Sequence, residues 1–437
     1  MDIFNLFIFL MRLVQSIQKS SFIALNISRD INFDNLNSSS FYHQMEINNL
    51  ITNISIGTPK QNLSLILSMR LSSLVITSSL STFNNLTKKY ILNDSSTFHS
   101  DNISNNYRFG YDEFRKGILS RENFVFSLIN LNKLNFILAT EEHSGKSGVL
   151  GLNIDFDRDH LDNYSILKQL KERNLISSYI YSFIFQKNDN PLILSKGNLI
   201  IGGYPHDFNP ELFKKEKYNE IKCNYNLYIY NQYWEIKHLI FFYGNDEDND
   251  FTDEIYTKID FSYTYIVATN RFQQFISELF TKYYGDKCVL NQGRFHQYYI
   301  CDKNININKL KNINIFYGKN NFTFVLTPSD LFTLYDDKLF YLICFYRSQS
   351  IYEWSLGSVF LKKYTLVFDQ EKKVIGYYAE RGKIYDNTKK YLKILLFISV
   401  IIIIVLIYFI INHNYYIKRK VRANELEENV DYKSIND

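Results

Sequence analysis

The hydrophobic positions of this chain form short apolar stretches separated by polar turns, and then one long run near the C-terminal end. Residues 56–76 predict a strand, a turn and a second strand, and the first of these strands is apolar at 63–67. Residues 165–174 carry apolar side chains at helical spacing and predict a helix. The pattern indicates a mostly β protein with short helices, followed by a segment of a different kind.

The long run covers residues 392–411, LKILLFISVIIIIVLIYFII, about the length that an α-helix needs to cross a bilayer. Its consecutive isoleucines suit lipid on every side better than the single apolar face of a soluble helix. Lys393 lies near the start of the run, and further basic residues lie on both sides of it: Lys389, Lys390, Lys418, Arg419, Lys420 and Arg422. The basic excess after the run predicts a transmembrane helix at 392–411 with a cytoplasmic tail at 412–437.

A shorter apolar stretch at 3–14 is interrupted by Asn5 and Arg12. We interpret residues 1–20 as a signal peptide, with an uncleaved anchor as the alternative, and residues 21–41 as a polar leader. Together with one span, this predicts a single-pass type I protein of the secretory pathway or plasma membrane. Nine Asn-x-Ser/Thr sequons are present: Asn26, Asn37, Asn53, Asn62, Asn85, Asn93, Asn102, Asn163 and Asn321. They agree with a lumenal glycoprotein, although an asparagine-rich chain also produces sequons by chance.

The composition supports a large folded region. Hydrophobic residues make up 46% of the 437 residues and charged residues 22%, which is enough apolar material for a sizeable core. The 35 tyrosines and 36 phenylalanines favour β structure. The net charge is +4, with much of the surplus near the C-terminal end, and nothing in the sequence indicates nucleic-acid binding.

The stretch 56–61, IGTPKQ, followed by the apolar strand, resembles the first active-site segment of pepsin-like (family A1) aspartic proteases. In that family the strand leads into D-T-G-S-S. Here Ser68 stands where the family keeps its first catalytic aspartate, and Arg70 stands where it keeps glycine. Met69 lies between them in place of a hydroxyl residue. The resemblance implies a bilobed acid protease fold that lacks the first catalytic carboxylate.

Residues 106–123 resemble the flap hairpin that closes over substrate in these enzymes, Y-G-x-G-x-x-x-G. Phe109 replaces the flap tyrosine, Gly110 matches, Asp112 replaces the second glycine and Gly117 matches. Phe109 keeps an aromatic ring but lacks the hydroxyl that the family places near the catalytic water. An ordinary hairpin is the alternative interpretation.

Residues 255–280 resemble the second active-site segment, a strand, a D-[ST]-G-[ST] turn and an amphipathic helix. Asp260 matches the second catalytic aspartate. Phe261 stands at the Ser/Thr position, Ser262 at the glycine and Thr264 in the hydroxyl region that follows. A solvated turn aspartate is the alternative for Asp260.

Other stretches extend the resemblance over residues 42–380. The predicted strand at 42–50 enters a first lobe at 42–200, and a second lobe follows at 201–384. In the final motif Ser358 replaces the aspartate of the family. The remaining matches are 144–186, 197–208, 233–242, 322–332 and 353–380.

Four cysteines are present: Cys223, Cys288, Cys301 and Cys344. They allow three pairings, and spacing alone selects none of them. The family resemblance implies a Cys301–Cys344 disulfide, which leaves Cys223 and Cys288 as the second pair. A zinc site is the alternative, but no C-x-x-C pair is present.

Two further patterns are weaker. Gly145, Lys146 and Ser147 resemble the end of a phosphate loop, but Thr140 stands where that motif needs its first glycine. The acidic stretch 244–252 has the wrong ligand pattern for calcium and favours a solvated hairpin tip. We therefore expect neither a metal nor a cofactor.

In the family that the sequence resembles, two close carboxylates share one proton and bind a water molecule between them. The Ser68 hydroxyl cannot share that proton or act as the base. A guanidinium at Arg70 would hold Asp260 ionised, and Met69 and Phe261 remove two hydroxyls from the loops. We expect a pseudoprotease that binds a peptide or protein segment in its interlobe cleft. The alternative is an active aspartic endopeptidase that uses Asp260.

Overall fold

The computed structural model describes most of the chain up to residue 379. The described residues are 22–29, 41–42, 45, 50–69, 71–80, 88–109, 113–127, 129–140, 147–153, 165–186, 196–223, 234–244, 250–261, 263–293, 295–317, 322–347 and 353–379. All of them belong to the first of two compact units, Met1–Arg381; the second is Gly382–Asp437. The predicted signal peptide, span and tail lie outside these ranges. Among the described residues, no helix is long and apolar enough to cross a membrane.

Strands dominate the described part of the chain, and the first eleven belong to one sheet. They are β1 (Ile23–Arg29), β2 (Leu50–Ile56), β3 (Gln61–Ser68), β4 (Leu74–Thr77), β5 (His99–Phe109), β6 (Glu113–Phe126), β7 (Ile129–Ala139), β8 (Gly148–Gly151), β9 (Ile180–Phe185), β10 (Gly197–Ile201) and β11 (Tyr218–Lys222).

The next eleven strands form a second sheet. They are β12 (Trp234–Tyr243), β13 (Phe251–Ile259), β14 (Ile266–Ala268), β15 (Cys288–Gln292), β16 (His296–Asp302), β17 (Ile313–Tyr317), β18 (Phe322–Leu326), β19 (Phe332–Tyr335), β20 (Lys338–Tyr341), β21 (Ile343–Tyr346) and β22 (Trp354–Leu356).

The last two strands, β23 (Leu366–Asp369) and β24 (Val374–Tyr378), return to the first sheet. They lie between β11 and β9, in the order β11-β24-β23-β9-β10-β1-β2-β3-β8-β4-β7-β6-β5. The second sheet has the order β18-β17-β12-β13-β22-β14-β21-β16-β20-β19, and β15 pairs with β16. The fold is therefore mostly β, as the sequence predicts.

Short helices connect the strands. The α-helices are α1 (Ile166–Glu172), α2 (Pro205–Phe208), α3 (Asn270–Tyr284), α4 (Pro328–Leu331) and α5 (Ser358–Lys363). Single 3₁₀ turns lie at Leu92–Asp94, Lys215–Lys217, Gly285–Lys287 and Ile307–Lys309. The predicted helix at 165–174 is confirmed as α1, with Ser165 as its N-cap.

Helix α3 is the amphipathic helix that the sequence predicts after the second active-site segment. Phe272, Ile276, Phe280 and Tyr284 recur at helical spacing and are buried. The Thr269 side chain caps its first turn by accepting from the Phe272 amide. The Phe272 ring lies 5.0 Å from Trp354 of β22, so the helix covers one face of the second sheet.

The structure differs from the sequence prediction at the N-terminal end. The predicted polar leader contains β1, in which Ile23, Leu25 and Ile27 alternate with more exposed residues and are buried. Within the predicted strand at 42–50, only Leu50 of the described residues is extended, and Phe41, Tyr42 and Met45 are helical. The alternation at 23–27 was the available signal for β1.

The helical residues before β2 pack on the second sheet, although β1 and β2 belong to the first. The Tyr42 ring stacks on Tyr298 of β16, with 3.3 Å between ring centroids, and its hydroxyl donates to Cys344 Sγ at 3.2 Å. The Phe41 ring stacks on Tyr335 at 3.9 Å. This contact joins the N-terminal segment to the strands of the second half of the chain.

The disulfide in the structure joins Cys288 to Cys301, so the predicted Cys301–Cys344 pair is wrong. The two paired residues lie directly opposite each other in the β15–β16 hairpin. Gln297 pairs with Phe345, and continuing this register puts Cys344 opposite Tyr298, about 10 Å along the strand from Cys301. That separation exceeds what a disulfide spans. Cys223 and Cys344 are not disulfide-bonded.

Candidate active site

Ser68 ends the strand that the sequence identifies with the first catalytic aspartate. The β3 strand pairs in parallel with β8, and Ser68 lies opposite Gly151. After the turn, β4 pairs with the other side of β8, and Val75 lies opposite Val149. The Leu152 amide donates to the Ser68 carbonyl at 2.8 Å, which fixes the end of β3. Strand β8 is thus inserted between the two arms of this loop.

Asp260 follows a strand with the same topology. In the second sheet β13 pairs in parallel with β22, with Ile259 opposite Leu356, which puts Asp260 level with Gly357. After the turn, β14 pairs with the other side of β22, and Val267 lies opposite Ser355. The Asp260 amide donates to the Leu356 carbonyl at 3.1 Å.

The two loops have equal length and equal register. Ser68 lies seven residues before Val75, and Asp260 lies seven residues before Val267. Val75 lies opposite Val149, two residues before Gly151, and Val267 lies opposite Ser355, two residues before Gly357. Ser68 and Asp260 therefore occupy equivalent positions in two copies of one supersecondary unit, one with a carboxylate and one with a hydroxyl.

The glycines of both loops are required by close backbone contacts. A Cβ on Gly151 would lie 2.6 Å from the carbonyl oxygens of Leu71 and Ser73. A Cβ on Gly357 would overlap the carbonyl oxygen of Tyr265. Because only glycine fits, each loop is held tightly against the inserted strand. The Ser358 amide then donates to the Tyr263 carbonyl at 2.9 Å, which holds the start of α5 against the Asp260 turn.

The residues that follow Ser68 and Asp260 are both apolar and buried. Met69 is 5% exposed and Phe261 is 1% exposed. The Phe261 ring meets Phe183 of β9 edge to face, with 4.6 Å between centroids. Apolar packing holds this turn against the first sheet, at a position where the family uses a hydroxyl. The Ser358 hydroxyl donates to the Phe261 carbonyl at 3.3 Å.

The structure places the other predicted site residues as follows. Asp260 is buried, 6% exposed, at the end of β13. Thr264 is 2% exposed, and its hydroxyl has no hydrogen-bond partner among the described residues. Phe109 ends β5 and its backbone pairs with Glu113, which confirms a hairpin at the predicted flap. The other three predicted residues, Arg70, Gly110 and Ser262, lie outside the described residues.

A buried carboxylate anchors the base of this hairpin. Glu122 of β6 is 1% exposed and accepts hydrogen bonds from four donors. The Tyr90 and Ser95 hydroxyls donate at 2.6 and 2.7 Å, the Asn123 amide donates at 2.7 Å, and the Thr97 hydroxyl also donates. Burial and this carboxylate raise the pKa of Tyr90. The network holds β6 against the segment that precedes β5.

In the first sheet, the face that carries Ser68 is apolar next to it. Ile66 precedes Ser68 by two residues and therefore shares its face. Its cross-strand neighbours continue that face: Ile51 of β2, Val149 of β8, then Val75 and Ile137. These five residues form one buried apolar cluster together with Ala139.

The equivalent face of the second sheet is polar next to Asp260. Lys258 takes the place of Ile66, with Glu235 opposite it on β12 and Ser355 opposite it on β22. Further along, Val267 and Cys344 take the places of Val75 and Ile137. The Tyr42 hydroxyl donates to Cys344, so the N-terminal segment covers the far end of this face.

An ion pair lies at the near end of the same face. Lys258 Nζ lies 2.7 Å from Glu353 Oε1, and the two side chains are 16% and 28% exposed. Burial raises the pKa of Glu235, and the nearby Lys258 ammonium opposes this shift. Within the described residues, no group of three or more His, Cys, Asp or Glu side chains could hold a metal ion.

Sequence reasoning missed the four polar residues Glu235, Lys258, Glu353 and Ser355. Their strands were identified, but only as parts of the fold. The available signal was strand alternation, because a residue two positions before Asp260 shares its face. Cross-strand partners on β12 and β22 could be assigned only once the register was known.

Each of the two sheets carries a loop of the same strand register, with Ser68 on one loop and Asp260 on the other. This arrangement is the one expected of a pepsin-like acid protease. The family model described as Eukaryotic aspartyl protease matches residues 49–380, well over half of the chain. The chain belongs to this family and contains a pepsin-like aspartic protease domain. A comparison with curated proteins finds no match.

Proposed function

We propose that this chain is a catalytically impaired member of the family, a pseudoprotease whose interlobe cleft binds a peptide or protein segment without cutting it. One observation carries the proposal: Ser68 occupies the position in the first sheet that Asp260 occupies in the second. The repeated unit therefore supplies one carboxylate where the reaction of the family uses two.

The chemistry explains why one carboxylate is insufficient. Two close carboxylates cannot both ionise, so their apparent pKa values separate and the pair holds one proton. One member then takes a proton from water while the acid form of the other polarises the scissile carbonyl. The Ser68 hydroxyl can donate a hydrogen bond, but it cannot exchange protons with Asp260 near neutral or acidic pH.

The surroundings of the site support binding rather than cleavage. Phe261 and Met69 are buried apolar residues in the two loops, so hydroxyls do not tie the loops together as they do in the family. The tight glycine contacts and the anchored hairpin keep the scaffold intact. A scaffold retained without its proton-sharing pair is suited to holding an extended segment between the lobes.

We also propose that the domain is lumenal or extracellular and is anchored by residues 392–411 as a type I membrane protein. The length of that apolar run and the basic residues that follow it support this topology. In this arrangement the ligand would be a secretory or surface polypeptide that meets the cleft outside the cytosol.

The test uses the full chain, purified in detergent micelles, and a diverse peptide pool at several pH values between about 3 and 7, the acidic range in which carboxylate dyads operate. The cleaved and the retained peptides are identified by mass spectrometry. Asp260→Ala serves as the matched variant. We expect retained peptides and no cleavage by either protein.

Two results would contradict the proposal. Cleavage that pepstatin inhibits and Asp260→Ala abolishes would establish an active aspartic endopeptidase. A folded, monodisperse sample that neither cuts nor retains any peptide would remove the binding role.

A further inference from the structure

One of the carboxylates among the polar residues beside Asp260, that of Glu235, has no ion-pair partner among the described residues. Lys258 is paired with Glu353 at 2.7 Å, while Glu235 lies opposite Lys258 in the β12–β13 register. Among the described residues Glu235 has no ion-pair partner within 4 Å. The other nearby cation, Lys237, lies over the Tyr256 ring at 5.4 Å. Glu235 is therefore the carboxylate of this half-buried group that has no ion-pair partner among the described residues.

The Ser355 hydroxyl lies beside these charged side chains and is buried. Ser355 lies directly opposite Lys258 on β22, so both side chains share one face. Ser355 is 2% exposed, and its hydroxyl makes no hydrogen bond among the described residues. Buried polar groups in native proteins are nearly always bonded, and this hydroxyl has both a donor and an acceptor to offer to a group bound at this face.

The fold itself does not require polar residues at these positions. The equivalents of Glu235, Lys258 and Ser355 in the first sheet are Ile51, Ile66 and Val149, which pack together as a buried apolar cluster. The same backbone register is thus stable with an apolar face. Burying charge and an unpaired hydroxyl costs free energy, and a departure of this kind from a stable pattern is expected at functional sites.

We propose that Glu235, Lys258, Glu353 and Ser355 form a subsite for a basic side chain, arginine in preference to lysine, of the polypeptide that binds beside Asp260. This inference rests on the proposed peptide-binding function and specifies its ligand. A guanidinium has several N–H donors in a fixed planar arrangement, enough to reach the Glu235 carboxylate and the Ser355 hydroxyl together. It also supplies an ion-pair partner for the Glu235 carboxylate.

The raised pKa of Glu235 is consistent with this assignment. Desolvation by burial raises it, and the Glu353 carboxylate adds to the effect, while Lys258 and Lys237 oppose it. A bound cation would favour the ionised form and lower this pKa again. Binding of the basic peptide should therefore weaken as the pH falls and Glu235 becomes protonated.

The test measures binding of fluorescent peptides to the full chain. The starting peptide is one retained in the pool experiment, prepared in matched forms with arginine, norleucine or glutamate at each position in turn. We expect one position at which arginine binds about tenfold or more tighter than norleucine, as for a hydrogen bond to a charged group. Glutamate at that position should bind weakest.

Two variants assign this preference to the subsite. Glu235→Gln keeps the shape of the side chain and should reduce the preference for arginine to about twofold or less. Ser355→Ala removes only the hydroxyl and should reduce it partly. Glu278→Gln, at an exposed position of α3, is the matched control and should leave the preference unchanged. Circular dichroism and the melting temperature verify that each variant folds.

Equal affinity for arginine and norleucine peptides at every position would overturn the inference while leaving the peptide-binding function in place. A preference for arginine that survives Glu235→Gln in full would also overturn it. Failure of the wild-type chain to retain any peptide would overturn both the inference and the proposed function.

Discussion

The ring of Phe261 lies 4.6 Å from the ring of Phe183, centroid to centroid, and this contact joins the two sheets. Phe261 directly follows Asp260 in the second sheet, whereas Phe183 belongs to β9 of the first. Phe183 also meets Phe368 of β23 at 6.3 Å. The residue next to the remaining carboxylate is thus part of the apolar core that both halves share.

The first prediction concerns this contact. Phe261→Ala should lower the free energy of unfolding by about 3–5 kcal/mol, because it leaves a cavity among buried rings. Denaturant-induced unfolding of the full chain, followed by tryptophan fluorescence, measures the change. Phe295→Ala removes a ring that is 50% exposed and should change stability much less. Equal effects of the two variants would show that Phe261 does not hold the sheets together.

The second prediction tests whether Ser68 and Asp260, which occupy equivalent positions in the two sheets, face each other. Ser68→Asp should create a carboxylate pair with Asp260, whose mutual repulsion raises the apparent pKa values of the folded protein. A group whose pKa is higher in the folded than in the unfolded protein stabilises the fold fully at pH values below its unfolded-state pKa. This contribution is lost as the pH rises through the folded-state pKa. As the pH rises from about 4 to about 7, the free energy of unfolding of the variant should therefore fall relative to that of the wild type. The fall should be about 1.4 kcal/mol for each unit by which folding raises the pKa.

Unfolding curves at several pH values measure this difference. Ser64→Asp is the matched control, because Ser64 lies on the same strand and its hydroxyl donates to exposed Asn53. A difference from wild type that is independent of pH would mean that residues 68 and 260 are too far apart to interact.

The third prediction concerns Tyr42 and the thiol of Cys344. Tyr42→Phe keeps the stacked ring and removes the hydroxyl, so it should cost about 1 kcal/mol. Tyr42→Ala also removes the stack on Tyr298 and should cost about 3–5 kcal/mol. In a Cys223→Ser background, Tyr42→Ala should also speed the reaction of Cys344 with a thiol reagent. An unchanged reaction rate would show that Tyr42 does not cover this thiol.

The fourth prediction concerns the disulfide. Non-reducing peptide mapping should recover Cys288 linked to Cys301, with Cys223 and Cys344 in unlinked peptides. The double variant Cys288→Ser/Cys301→Ser should lower the free energy of unfolding by about 2–4 kcal/mol, because the short hairpin loop is no longer closed in the unfolded chain. Cys344→Ser should leave the mapped disulfide unchanged. Recovery of a Cys301–Cys344 peptide would contradict the structure.

The fifth prediction is a pH dependence at His206. Burial lowers the pKa of this imidazole, whose Nδ1 lies 2.8 Å from the Tyr378 hydroxyl; Asp207 raises the pKa and Lys215 lowers it. The unfolded state then binds more protons, so stability rises with pH. His206 contributes fully above its unfolded pKa, about 6.5, and its contribution is lost as pH falls towards the lower folded value.

His206→Gln should therefore flatten the fall in stability between about pH 7.5 and pH 5. The free energy of unfolding is compared at these two pH values for wild type and variant. His99→Gln, at a side chain that is 67% exposed, is the control and should keep the wild-type dependence. Identical pH profiles for the His206 variant and wild type would contradict the prediction.

Local sequence patterns predicted much of the fold. The spacing of apolar residues at 165–174 predicted α1, and the family resemblance predicted α3 as an amphipathic helix. The hairpin of β5 and β6 was predicted from the resemblance to the flap of the family. These elements are determined by nearby residues, so their periodicity is visible in the chain alone.

The features that the sequence did not predict depend on contacts between residues that are far apart in the chain. The equivalence of Ser68 and Asp260 was suggested by resemblance, but their common register follows only from the pairing of β8 and β22. Glu235 becomes relevant because β12 pairs with β13 in one particular register. The predicted disulfide failed for the same reason, since register decides which cysteines lie opposite each other.

The return of β23 and β24 to the first sheet has a consequence for biosynthesis. Strand β9 gains its neighbour β23 only after the ribosome has made residue 369, long after strands β1 to β11 of that sheet have been made. Until then β9 presents an unpaired edge, which is a template for association with other chains. The nascent first half must stay protected while the second half is translated, so this topology places a demand on chaperones during synthesis.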